Sequence, residues 1–286
     1  MPRRLFELLE LNRPLQVADI GAAYISETPT YKAMLDQGVA ELNAFDADVR
    51  QHAPMRTFYG EGLRIFPQVV GDGTVQTLHL ASPASGMTSL LRPSAAHLAF
   101  FNGFQQFGEI ESETQVETSR LDDVPGLPDL DFLKMDIQGA ELQVLKHGRE
   151  RLARCAMVQL EVSFVPLYEG QPCFGEVDVW MRSQGFIPHC FTEVKRWSIA
   201  PVVRQGNFRM PFNQLLEADI VYVRDPVSPG ALDTELMKIT ALLAHSQYGS
   251  IDLAGRLILQ MTQAGVLPEA ALAAYMALTN GPAQAR

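Results

Sequence analysis

Cysteine is scarce in this chain. Cys155, Cys173 and Cys190 are the three in 286 residues, an odd number with no CxxC spacing. That excludes a disulfide framework and predicts reduced, buried thiols. Long apolar runs are also missing, and no stretch approaches the roughly 18 apolar residues of a membrane span. Near the start, Glu7 and Glu10 interrupt the apolar Leu5, Leu8, Leu9 and Leu11 that follow Arg3 and Arg4. The pattern reads as one side of a short helix, not a signal peptide, and a cytoplasmic protein is the expectation. Basic charge is in deficit: 23 Lys and Arg face 33 Asp and Glu, a formal net charge of −10. Such a field repels phosphate backbones and anionic lipid, so no nucleic-acid partner is expected. The six histidines (His52, His79, His97, His147, His189, His245) show neither HExxH nor another metal-like spacing, and no metal is assigned. GxSxG, P-loop, kinase and GxGxxG signatures are absent, which leaves hydrolase and kinase readings unsupported.

What is present is a globular composition, 47% apolar and 20% charged, at a length for one large domain, alone or with a small appendage. Leu15 to Ile20 reads as a strand running into Asp19-Ile20-Gly21-Ala22-Ala23. Thr30 to Gly38 reads as a helix, and Val39 to Phe45 as a second strand closed by Asp46 and Asp48. That succession is a βαβ unit. Ile65–Val70 and Val75–Leu80 flank Gly71-Asp72-Gly73, a hairpin signal. Residues 81–89 read as a loop, and residues 92–112, with Phe100, Phe101, Phe104 and Phe107, have no clear periodicity. These phenylalanines either line an apolar acceptor pocket or belong to the core.

Regular alternation returns with a strand at Asp131–Ile137, a helix at Ala140–Arg154 and a strand at Ala156–Val165. A helix at Phe174–Ser183 and strands at Phe186–Phe191 and Ile220–Val223 follow. This predicts an α/β fold with a doubly wound sheet over residues 1–228. Residues 229–286 carry helical stripes, Leu232, Leu236, Ile239, Leu243 and then Ile251, Leu257, Ile258, Met261. They read as a small helical extension, either a homodimer contact or plain packing against the sheet.

In an open α/β sheet, ligands sit beyond the carboxyl ends of the strands. Four places fit. The Asp19–Gly21 turn lets backbone approach a ligand, with Asp19 as an anchor or merely a helix cap. Asp46 ends the second strand, where an acid receives ribose hydroxyls, and Asp48 competes for that role. Lys134 and Asp136 alternate along one strand, about 7 Å apart on one face, with Asp136 at its carboxyl end. Glu141 opens the following helix, where its charge suits the helix dipole. Glu161 interrupts the next strand. It either faces one cleft with Asp136 or forms a structural salt bridge to Lys134.

The run Leu121-Asp122-Asp123, then Asp131-Phe132-Leu133-Lys134-Met135-Asp136-Ile137-Gln138-Gly139-Ala140-Glu141, resembles the FkbM-type methyltransferases, whose pattern is LDD followed by DFLKIDVEGAE. The likeness extends through Leu160-Glu161-Val162-Ser163-Phe164, Leu167-Tyr168-Glu169-Gly170-Gln171, Gly185-Phe186 and Glu217-Ala218-Asp219-Ile220-Val221. It implies a Rossmann-like methyltransferase sheet, mostly parallel with antiparallel edge strands, and S-adenosylmethionine as cofactor.

By position, the resemblance implies that Asp19, Gly21 and Ala22 form the first cofactor motif. Asp46, in Phe45-Asp46-Ala47 where the family has Phe-Glu-Pro, is the ribose acid. Val69-Val70-Gly71-Asp72 lies near the adenine, which marks Val70 and Asp72. Ser85, Thr88, Ser89 and Tyr168 fall on the acceptor side. Asp136, also at the cofactor, is the first choice of base, Glu161 the second, and Lys134 their charge partner. The first motif departs from the family, with Ala23, Tyr24 and Ile25 where Gly-Ala-Asn-x-Gly is usual. The leading expectation is O-methylation of a hydroxyl on a sugar, glycan or secondary metabolite. The alternative is a non-catalytic binding or scaffold protein on the same fold.

Overall fold

The computed structural model describes residues 1–22, 28–47, 49–60, 62–82, 85–228, 230 and 232–279. Ala23, Tyr24, Ile25 and Asp48, singled out above, lie outside them. The strands are β1 (Leu15–Ile20), β2 (Ala40–Phe45), β3 (Leu63–Phe66), β4 (Val69–Val70), β5 (Val75–Ala81), β6 (Ile110–Ser119), β7 (Phe132–Met135), β8 (Met157–Ser163), β9 (Phe186–Arg196) and β10 (Leu215–Arg224). The helices are α1 (Pro2–Leu8), α2 (Lys32–Asp36), α3 (Val49–Tyr59), α4 (Ala95–Phe100), α5 (Glu141–Lys146), α6 (Arg149–Leu152), α7 (Phe174–Ser183), α8 (Thr234–Tyr248), α9 (Ile251–Gln263) and α10 (Ala271–Thr279). Among the described residues no helix is long and apolar enough to cross a membrane.

Seven strands form one sheet in the order β3-β2-β1-β7-β8-β10-β9. The first five run parallel. β10 is antiparallel to both β8 and β9, so the reversed strand sits one in from the edge. β8 is buried along its whole length, including the polar Gln159, Glu161 and Ser163 that alternate with its apolar residues.

The two faces have separate cores. On one, Leu15, Val17, Phe132 and Met157 pack against Leu236, Ile239 and Leu243 of α8 and Leu257 and Ile258 of α9. Each such side chain, fully buried, contributes about 1.5–3 kcal/mol. The C-terminal helices are therefore the layer that shields this face from water. On the other face, Ile20, Leu133, Met135 and Leu160 pack against Leu142 and Leu145 of α5 and Val177 and Met181 of α7.

Three segments differ from the sequence reading. The runs before and after Gly71-Asp72-Gly73 do not pair as a hairpin. β6 lies between β4 and β5, parallel to the first and antiparallel to the second, in a separate three-stranded sheet. The helix expected over 140–154 is two short ones, interrupted at His147-Gly148, where the backbone leaves helical geometry and a side chain on Gly148 would come within 2.7 Å of Leu121. α3 was not foreseen. Of the cysteines, all three are free, with Cys155 buried and Cys173 and Cys190 half-buried.

Candidate active site

Strand order reverses between β1 and β7, and the carboxyl ends of these neighbours define the crevice. Their turns touch. Gly21 has φ +88°, and a Cβ there would lie 2.0 Å from the Asp136 carbonyl oxygen. The Asp136 amide donates to Ile20 O at 3.0 Å. Only glycine fits this crossing.

The turn after β7 is unusual in itself. Gln138 has φ +60°, a left-handed conformation that a non-glycine residue seldom adopts. Gly139 follows with φ +101°, and a side chain there would press on Tyr168 and Gln171. Glu141, in the first turn of α5, reaches back so that its Oε1 accepts from the amides of Ile137 (3.0 Å) and Gly139 (3.2 Å). Burial pushes its carboxyl up to about 7, against those same hydrogen bonds. Glu141 thus holds the turn that carries Asp136.

Gln138 joins the two candidate carboxylates. Its Nε2 donates to Asp136 Oδ1 at 2.8 Å and to Glu161 Oε2 at 3.0 Å. Its Oε1 accepts from the Tyr168 hydroxyl at 2.9 Å, and its main-chain oxygen accepts from the Ser89 hydroxyl at 2.7 Å. Glu161 Oε1 receives Lys195 Nζ at 3.2 Å, and Lys195 also donates to Glu217 at 2.8 Å. Burial drives the Glu161 carboxyl well above its ordinary range, Asp136 and Glu217 add to this, and Lys195 opposes it. Burial disfavours charge on Lys195, but Glu217 and Glu161 outweigh it and keep the ammonium protonated.

Lys134 has a different partner from the one weighed above. It faces Asp19 across the β1–β7 register and lies 3.6 Å from its Oδ1, so it forms no salt bridge to Glu161. Asp19 chiefly, with Asp136 and Asp219, raises the Lys134 pKa against the effect of burial. The other Asp19 oxygen accepts from the buried Tyr31 hydroxyl.

A cavity of about 1210 Å³ opens over these strand ends. At one end it is lined by Gly21, Phe45, Asp46, Gln68 and Val70. Ser85, Thr88, Ser89, Asp136 and Gln138 form the middle, and Phe104, Phe107, Glu161, Lys195, Trp197 and Glu217 the far end. Of the site residues singled out in the sequence, Asp19, Ala22, Asp72, Lys134, Glu141 and Tyr168 are outside this lining. Asp72 instead organises its own turn, accepting from the Thr74 hydroxyl (2.6 Å), the Thr74 amide and Gln76. The Thr74 hydroxyl chiefly holds its carboxyl down at about 2. Tyr168 acts on the cavity through Gln138. Phe101 is in the core and Phe100 is exposed.

Sequence reasoning missed Gln138, Lys195, Glu217, Trp197 and Gln68. Gln138 lay inside the quoted motif, directly before a glycine, but its left-handed backbone has no signature of its own. The charged Lys195 and Glu217, each within an otherwise β-prone run, carried the same signal that exposed Glu161.

Residues 43–188 match the family model described as the methyltransferase FkbM domain. A curated relative, "2-O-methyltransferase NoeI" of Sinorhizobium fredii (strain NBRC 101917 / NGR234), is 29% identical over 180 residues, covering 59% of this chain and 71% of that protein. Among solved structures, precorrin-6y C5,15-methyltransferase from Geobacter metallireducens GS-15 aligns at 10% identity with a TM-score of 0.34, over 78% of this chain and 87% of that one. An uncharacterized protein from Listeria monocytogenes serotype 4b aligns at 11% identity with a TM-score of 0.36, over 96% of both chains.

Proposed function

This chain belongs to the FkbM methyltransferase family, and from that premise we propose that it moves a methyl group from S-adenosylmethionine to a hydroxyl oxygen, with Asp136 as the base. The name of its 2-O-methyltransferase relative supports an oxygen as the acceptor atom; a sugar or glycan hydroxyl is the acceptor class that the family resemblance implies.

The observation that carries the reading is the carboxylate pair at the switch point. Asp136 and Glu161 line one cavity and share one amide donor, at 2.8 and 3.0 Å. Both Glu161 oxygens are taken, one by Gln138 and one by Lys195. Asp136 Oδ2 accepts no hydrogen bond from the described residues, so Asp136 is the member of the pair available to an acceptor hydroxyl.

The cofactor fits the other end of the cavity. Gly21 bares its main chain there, and Asp46 ends β2 where ribose hydroxyls would be received. Gln68 Oε1, which no described group hydrogen-bonds although it is buried, offers an acceptor for an amine such as that of adenine. The volume exceeds the roughly 300–1,000 Å³ of ordinary small-molecule sites, enough for cofactor and acceptor together. When bound, S-adenosylmethionine supplies a methyl group already activated on a sulfonium. The protein's work is then to align the acceptor oxygen and remove its proton, the second falling to Asp136. Lys134, half-buried and 3.6 Å from Asp19 Oδ1, supplies positive charge beneath the turn.

The test is transfer of labelled methyl from S-adenosylmethionine to a panel of hydroxylated sugars and glycans, comparing wild type with Asp136→Asn. Transfer by wild type that is lost in the variant supports the reading. No transfer to any acceptor, with no cofactor binding, would turn the assignment to a binding protein on a methyltransferase fold.

A further inference from the structure

Resting on that reading of the site, we infer that Gln138 is a positioning residue. Its side-chain amide, oriented by Tyr168, holds Asp136 and Glu161 apart as a neutral spacer and turns Asp136 Oδ2 toward the acceptor.

Every polar atom of the Gln138 side chain is committed. Nε2 carries two hydrogens and meets two carboxylate oxygens, Asp136 Oδ1 and Glu161 Oε2. Reversing the amide would set Oε1 against Asp136 Oδ1, acceptor against acceptor, so that partner dictates the orientation. Tyr168 reinforces it from the other side by donating to Oε1 at 2.9 Å. A phenol can do this only while protonated. Burial, followed by Glu161, Glu217, Glu141 and Asp136, pushes the Tyr168 pKa up, which keeps that donor in place.

The backbone adds a second, independent sign. Gln138 keeps φ +60° where its glycine neighbour would adopt it at less cost. The conformation is held by Ser89 at the Gln138 carbonyl and by Glu141 at the amides on either side. A strained, over-determined residue facing a cavity is the arrangement expected where side-chain direction matters.

The consequence is an asymmetric pair. The amide occupies one Asp136 oxygen and leaves the other open, while Glu161 is closed by the amide on one oxygen and Lys195 on the other. A neutral donor between two acids also limits their repulsion without adding charge. Around this pair lie Lys134, Glu141, Tyr168 and Asp219 on the Asp136 side, and Tyr168, Glu141, Glu217 and Lys195 on the Glu161 side. Among the described residues, Gln138 alone donates to both carboxylates.

The experiment uses the full chain and carbon-13 titration of the Glu161 carboxyl, which needs no acceptor. Gln138→Met preserves length and removes both donors. Its Glu161 midpoint, already raised by burial, is expected to rise further on loss of the charge-assisted hydrogen bond from Gln138. Binding of S-adenosylhomocysteine, measured by calorimetry, should stay within about threefold, consistent with a lost contact remote from the cofactor. Tyr168→Phe should move Glu161 in the same direction by less, through the freed amide. On an acceptor that wild type methylates, Gln138→Met should lower kcat about 10- to 100-fold with KM little changed, and shift the basic-group limb of the kcat profile upward. A Glu161 midpoint unmoved in a folded Gln138→Met would overturn the inference. If that variant does not fold, an unmoved midpoint in Tyr168→Phe overturns it equally. Failure of wild type to methylate anything would sink the methyltransferase reading while leaving the titration result to stand or fall separately.

Discussion

Gly21 and Asp136 meet main chain to main chain: a methyl group placed on the glycine would lie 2.0 Å from the aspartate's carbonyl oxygen. The turn that approaches the cofactor end and the turn that carries the proposed base are therefore one mechanical unit. Moving either displaces the other, and this coupling makes a single remote methyl group consequential.

Gly21→Ala is expected to destabilise the protein by about 2–4 kcal/mol, combining a positive φ of +88° with a steric overlap. Urea unfolding checks this. A loss below about 0.5 kcal/mol, the level of an ordinary surface change, would show that the two turns are not in contact.

Asp136→Asn should leave the thermal midpoint nearly unchanged and lower methyl transfer by about 10²- to 10⁴-fold, the range for a lost general base. Glu161→Gln, with Lys195 still bound to Glu217, should cost less. Equal losses in the two variants, read from kcat on one acceptor, would mean that the pair acts jointly rather than through Asp136.

Much of this architecture was legible in the sequence because its central strands are buried on both faces. β1, β2, β7 and β8 are short, largely buried strands with an acid near or just past the carboxyl end, and that placement marked Asp46, Asp136 and Glu161. β6 was not legible: Ile110–Ser119 is exposed over most of its length, so no burial pattern was imposed on it. In α3 only Met55 and Tyr59 are buried and Pro54 lies inside the helix, which leaves too thin an apolar stripe to read. Lys134 found Asp19 instead of Glu161 because cross-strand register sets its neighbours, and register between distant strands is not written locally. Gln138 was hidden for a related reason, since its role depends on four groups from separate segments.

Asp46→Ala should weaken S-adenosylhomocysteine binding about 10- to 100-fold, the loss of a hydrogen bond to a charged group. Titration calorimetry measures it. Undiminished affinity would move the ribose-binding role away from β2.

Glu141 predicts a pH dependence of stability. Its folded pKa of about 7 lies above the ordinary 4.5 because burial disfavours the charge. A raised carboxyl pKa stabilises the fold fully below about 4.5, and the benefit is lost as pH rises through about 7. Glu141→Gln retains an oxygen for the Ile137 and Gly139 amides but cannot ionise. Relative to wild type, the variant should therefore gain on the order of 2 kcal/mol between pH 5 and pH 8. Urea unfolding at those two values decides it, and a constant difference would place the Glu141 titration outside that window.

The central claim is that this cavity holds S-adenosylmethionine, and titration calorimetry of the purified protein with S-adenosylmethionine and S-adenosylhomocysteine tests it most directly. The account predicts saturable one-site binding of both ligands, weakened in Asp46→Ala. Absence of binding by protein shown to be folded would contradict it.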